Sequence, residues 1–183
     1  MQDLIIGIDP GTATTGFGVL DVAGIKPVLV EYGCISTPKN IFMPDRLLML
    51  MMGLDNLFSK YMPQAVVIEN LFFGVNAKTA ITVGQGRGVV MVTAAKYGLP
   101  CFEYQGLSIK KEITGSGKAD KLMIQDAVAK ILGVDEWTKP KEGYLDDAVD
   151  ALAIGLFHYR QVTGTINKSL ESDKKPKQKG RGK

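Results

Sequence analysis

Leu4-Ile5-Ile6-Gly7-Ile8-Asp9-Pro10-Gly11 is an apolar run that meets an acid and then stops at a turn. Such a run, bounded by Pro-Gly, reads as a buried strand. A second strand-like run, Phe17 to Val22, follows almost at once, so the two form a hairpin. Val28 to Ile35, after the punctuation at Gly24 and Pro27, supplies a third strand and completes an antiparallel meander.

Beyond the meander the hydrophobic period changes from two to helical. Pro44 starts a helix in which Leu47, Leu48, Met51, Leu54, Leu57 and Phe58 share one face, and Met62-Pro63 closes it. Ala65 to Ile68 is a short, wholly apolar strand of the kind found in parallel sheets, ending at Glu69. A long helical segment from about Asn76 to Lys96, a strand from Leu99 to Tyr104, helical patterns from Leu107 to Leu132 and a last helix from about Leu145 to Arg160 follow. The sum is a mixed, five-stranded α/β domain: three antiparallel strands, then alternating helix and strand units.

A chain of 183 residues has room for one such domain. The expected division is 1–160 as the domain and 161–183 as a basic, disordered tail. Asn167 to Lys183 carries Lys168, Lys174, Lys175, Lys177, Lys179, Arg181 and Lys183 against Glu171 and Asp173, a net of +5 within a chain of formal charge +3. The body is therefore slightly acidic, and any nucleic-acid reading must rest on particular residues there. The longest apolar runs, such as Val89 to Ala95, are far too short to span a bilayer. The N-terminus lacks the basic and long apolar regions of a signal peptide, so a cytoplasmic protein with no membrane partner is expected. Cys34 and Cys101 lack C-x-x-C spacing and read as reduced core thiols.

The chemistry is in the carboxylates. Asp9 and Glu69 each terminate an apolar strand, and ligand clefts in such sheets form where strands finish. Asp147 and Asp150 lie three apart on a helix whose other face is Ala151, Leu152, Ile154 and Leu156, so both project from one side beside the core. Asp146 is a first-turn acid answering the helix dipole. Four oxygen donors without His or Cys select a hard cation, and acidic clusters of this type in nucleases hold two Mg2+ ions, with Mn2+ as a plausible substitute. Four unrelated surface acids are the bland alternative.

Lys110, Lys111, Lys118 and Lys121 concentrate positive charge in that acidic body, suited either to phosphate contact or to a solvated helix face. Phe72, just past the Glu69 strand, suits base stacking or ordinary packing. Gly115-Ser116-Gly117-Lys118 is no phosphate-binding P-loop: Glu112 stands where that motif needs Gly, and Ala119 where it needs Ser or Thr. His158, beyond the acids on the last helix, reads as a packed or surface residue. Ala80, Gly84 and Gly88 recur every fourth residue and flatten one helix face, against either the chain's own sheet or the same helix of a second subunit.

Taken together, Ile6-Gly7-Ile8-Asp9-Pro10-Gly11-Thr12 with Gly16-Phe17-Gly18-Val19, Val67 to Phe72, Asn76-Ala77 with Gly84-Gln85-Gly86-Arg87-Gly88, and Asp147 to Ile154 resemble the RuvC family in order and spacing. The resemblance spans roughly Leu4 to His158. It implies an RNase H-like fold and a homodimeric Holliday-junction endonuclease of recombination and DNA repair. Such an enzyme makes paired, metal-dependent cuts on two strands of like polarity and leaves 5′-phosphate and 3′-hydroxyl ends. It implies metal ligation by Asp9, Glu69, Asp147 and Asp150, Lys110 and Lys121 (the latter catalytic) facing the scissile backbone, and Phe72 on junction bases. Lys118 joins the DNA-binding set, Ala80, Gly84 and Gly88 the dimer interface, and a RuvA-RuvB branch-migration complex is an expected helper. Two other readings stand beside it: an actin-like ATPase, which would need a second such domain, and a non-catalytic junction binder or a nuclease for flaps or RNA duplex.

Overall fold

The computed structural model describes residues 3–70 and 77–173, with side chains described over 3–70 and 80–164. The elements are β1 (Leu4–Asp9), β2 (Thr14–Asp21), β3 (Val28–Ser36), α1 (Met43–Tyr61), β4 (Ala65–Glu69), α2 (Ala77–Lys96), β5 (Cys101–Tyr104), α3 (Gly106–Thr114), α4 (Lys121–Leu132) and α5 (Leu145–Asp173). They build one five-stranded sheet in the order β3-β2-β1-β4-β5. β1 pairs antiparallel with β2 and parallel with β4, and β4 pairs parallel with β5. This is the expected mixed sheet with flanking helices.

The two-residue period of the strands sorts the core into two layers. Leu4, Ile6 and Ile8 of β1, with Val66 and Ile68 of β4, bury against Leu50, Leu54 and Phe58 of α1 and Val90 of α2. Ile5, Ala65 and Val67 face the other way, onto Ile109, Ile124, Val149 and Leu152 of α3, α4 and α5. Asp9 and Glu69 keep step with Ile5 and Val67, so both strand-end carboxylates turn toward α5.

Close approach of α5 rests on glycines. A Cβ on Gly7 would run into the Ala151 carbonyl, one on Gly16 into the Asp147 carbonyl, and one on Gly18 would lie 2.5 Å from Leu152 Cδ2. Gly7 and Gly18 are register partners, as are Asp9 and Gly16, so the bare patch spans both strands. It lets the helix backbone lie directly on the sheet. Asp147 and Asp150 are thereby brought level with the end of β1.

One boundary differs from expectation. α5 runs to Asp173 rather than stopping near Arg160, and so takes in the first part of the expected disordered tail. No proline lies between Arg160 and Pro176, and Gly164, the one glycine in that stretch, is too weak a breaker to end the helix. Thr163 Oγ1 donates to the Tyr159 carbonyl at 2.8 Å, which occupies its hydroxyl within the helix. Among the described residues no helix is long and apolar enough to cross a membrane.

Candidate active site

Three elements deliver four carboxylates to one cleft: Asp9 from the end of β1, Glu69 from the end of β4, and Asp147 and Asp150 from the start of α5. All four are only partly exposed. Burial, followed by the charges of Asp150, Glu69 and Asp147, pushes the Asp9 carboxyl up to about 7. Burial likewise raises Asp150 to about 6, against the opposing pull of Lys121 and Lys110. Glu69 and Asp147 are raised as well, again chiefly by burial. Unpaired carboxylates crowded out of water hold their protons, and a cation between them would relieve that strain.

The donor set fits a hard divalent cation: it is all oxygen, and it includes no imidazole. The Cys34 thiol senses Asp147 and Asp9, but burial pushes it up to about 11, and it donates to the Tyr144 carbonyl at 3.3 Å. Both cysteines are free thiols, as expected. Among the described residues no three of the acidic side chains stand close enough to enclose an ion as they are. Glu69, Lys110 and Asp150, with Ile109, Ile113, Ile124 and Ile154, line a cavity of about 110 Å3.

Lys110 and Lys121 reach the acids. Lys110 acts on Glu69 and Asp150, and Lys121 on Asp9, Asp147 and Asp150. Lys118 and Lys111 are exposed, and neither is among the cations that shift these carboxyls. Lys121 is held at the rim by Asp146, 2.8 Å away, whose other oxygen accepts from Gln125 at 2.6 Å. Asp146 does lie in the first turn of α5, but this pairing with α4 was not legible in the sequence, where only its helix position spoke. Phe72 lies outside the described residues.

His158 is packed, as expected: it is buried against the Phe102 ring and its Nδ1 lies 2.9 Å from the Tyr104 hydroxyl. On α2, Gly86 meets the chain itself. A Cβ there would lie 3.2 Å from the Gly11 carbonyl, in the turn after Asp9. Gly88 has nothing within 4 Å of where its Cβ would be, and it is exposed. Among the described residues, then, nothing of the chain's own sheet lies against Gly88. Arg87, between them, is buried, and it donates to the Glu69 carbonyl at 2.5 Å and pairs with Glu103. Its role was missed because a lone Arg in a glycine-rich helix gives no sign of where it points.

The comparisons agree with this architecture. A family profile described as crossover junction endodeoxyribonuclease RuvC matches residues 5–158. The RuvC protein of Desulfitobacterium hafniense is 45% identical over 159 residues, covering 87% of this chain and 93% of that relative. That of Rubrobacter xylanophilus is 45% identical over 157 residues, covering 86% and 85%. Among solved structures, Thermus thermophilus RuvC in complex with a Holliday junction substrate superposes with a TM-score of 0.78 at 30% identity, covering 89% of this chain and 97% of that one. The yeast mitochondrial Holliday junction resolvase Ydc2, at 13% identity and a TM-score of 0.62, shares the fold. This chain belongs to the RuvC family of crossover junction endodeoxyribonucleases.

Proposed function

We infer that this chain is a Holliday junction resolvase that hydrolyses DNA phosphodiesters at the four-carboxylate cleft. The observation that carries the reading is the gathering of Asp9, Glu69, Asp147 and Asp150 from β1, β4 and α5 into one half-buried site with Lys110 and Lys121 at its edge. These acids would hold two Mg2+ ions, with Mn2+ able to substitute. The chemistry such a pair supplies when bound is neutralisation of the scissile phosphate and activation of water.

The protein's own part is positional. Asp9 and Glu69 are fixed by the sheet and Asp147 and Asp150 by a helix seated on it, so the donor geometry is set by rigid elements. Lys110 and Lys121 answer the negative charge of the strand being cut, and Lys118 contacts the backbone beside it. Phe72 is assigned to stacking on a base at the crossover. In-line attack of water on phosphorus breaks the P–O3′ bond, leaving a 5′-phosphate and a 3′-hydroxyl.

A four-way junction is nearly two-fold symmetric, and a two-fold dimer would cut two strands of like polarity. The outward face of α2 supports that assembly: Ile81 is 65% and Val92 60% exposed, with Gly84 and Gly88 between them at helical spacing and Ala80 alongside. Leu48 and Met52 of neighbouring α1 extend the apolar surface. A RuvA-RuvB complex is the proposed helper, and the cytoplasm the proposed compartment.

Offering a mobile four-way junction, a flap and a linear duplex side by side with magnesium tests this. Paired cuts confined to the junction, lost in Glu69→Gln and Asp150→Asn variants that still bind it, are expected. Equal cutting of all three substrates, or full cleavage by those variants, would refute the reading.

A further inference from the structure

Glu69 stands one residue beyond the last β1–β4 pair, Ile8 with Ile68, so the strand has lost one neighbour just where its side chain matters. On the β5 side it is still paired, with Tyr104, and the Asn70 amide donates to the Tyr104 carbonyl at 2.7 Å. Its own carbonyl is taken by Arg87, which comes from α2 on the far side of the sheet from α5. The other arm of the same guanidinium pairs with Glu103 of β5. Glu103 keeps step with Cys101, which packs with the α1 and α2 layer, so Arg87 reaches both groups from one side. One planar cation thus ties the end of β4 to β5 from behind, while the Glu69 carboxylate faces the cleft in front.

The Arg87 side chain is only 11% exposed, so its charge has left water. A buried guanidinium is tolerated only when it is paired and its donors are used. An arginine fork can bond a backbone carbonyl and a carboxylate at once, which the single ammonium of lysine reproduces poorly. Nothing in the packing requires that charge there, since α2 already buries Val90 and Ala94 on this face. What the charge does have there is two partners, the Glu69 carbonyl at the end of β4 and the Glu103 carboxylate of β5.

We propose that Arg87, anchored by Glu103, is a positioning residue that sets the Glu69 carboxylate for metal binding. This rests on the reading of Glu69 as a metal ligand. The test titrates magnesium and manganese into the full chain by calorimetry without DNA, for wild type, Glu69→Gln, Glu103→Gln and Arg87→Lys. Each protein is measured well below its own melting temperature, with cleavage rate against metal concentration in parallel. Arg87→Lys should weaken metal binding by about 10-fold and Glu103→Gln by a smaller factor, as losses behind a metal ligand do. Junction affinity without metal should hold, and excess metal should restore the Glu103→Gln rate. Should Glu69→Gln itself leave metal affinity unchanged, the ligand assignment fails and takes this proposal with it. Should Glu69→Gln weaken binding while Glu103→Gln and Arg87→Lys lower only the melting temperature, Arg87 merely supports the fold and the proposal is overturned.

Discussion

Replacing Asp9 by asparagine removes a carboxylate that the fold holds against its preference, and the size of the effect can be worked out. Its pKa rises from 3.8 to about 7 on folding, so the protonated form is favoured in the native state. That contribution to stability is complete below pH 3.8 and is lost as pH rises through about 7. Above pH 7, without metal, the ionised group therefore costs the folded state about 4 kcal/mol relative to the unfolded chain. An amide in its place is uncharged but must find partners in the cleft, at a cost of about 1–3 kcal/mol. The net gain of about 2 kcal/mol should raise the melting temperature of Asp9→Asn by about 4–8 °C in a chain of this size. At pH 5 the carboxyl is protonated in the fold, the gross cost falls to about 2 kcal/mol, and the two proteins should melt together. Thermal unfolding in chelator at pH 8 and pH 5 measures both numbers. A variant that melts well below wild type at pH 8, or a difference that does not shrink at pH 5, would show that Asp9 is a structural acid.

Gly86 and Gly88 of α2 should separate cleanly. Gly88→Leu meets open space among the described residues, so it should fold normally, shown by an unchanged circular dichroism spectrum, yet sediment as a weaker dimer and lose paired cleavage. Gly86→Leu must displace the turn after Asp9 and should cost about 1–3 kcal/mol in denaturant unfolding, over and above any gain in helix propensity. Removal of Asn167 to Lys183 takes away a net +5 and should flatten the salt dependence of junction binding while leaving the cut positions where they were. Shifted cuts in the truncated protein would show that this segment does more than attract phosphate.

The features readable from sequence were those whose cause is local. β1 and β4 announce themselves as apolar runs, each stopped by its acid, and the helical spacing of Asp147 and Asp150 beside Ala151 and Leu152 puts both on one flank without any knowledge of the sheet. Two-residue periodicity then aims Asp9 and Glu69 the same way. What stayed hidden depends on which element crosses which. Gly7, Gly16 and Gly18 read as strand glycines, and only the seating of α5 shows that they admit its backbone. The glycine spacing on α2 was visible, but the sequence could not tell Gly86, which touches the Gly11 turn, from Gly88, which meets nothing within 4 Å among the described residues. Arg87 and Asp146 were missed for the same reason: each side chain works on a partner from a distant segment.

The parallel pairing of β1 with β4 joins Ile5 to Ala65 across the whole meander and α1, and the last two acids wait at the far end of the chain, on α5. Contacts this distant in sequence form slowly, because loop closure must precede any reward from packing. During synthesis the N-terminal strands emerge first, and β1 and β2 carry a glycine patch with no helix yet available to cover it. No fragment short of Asp150 contains the four carboxylates, so a chain still in synthesis has no complete cleft until α5 has begun. A nuclease built this way has half of its carboxylates on its final helix, so recovery of cutting during refolding reports the docking of that helix on the sheet.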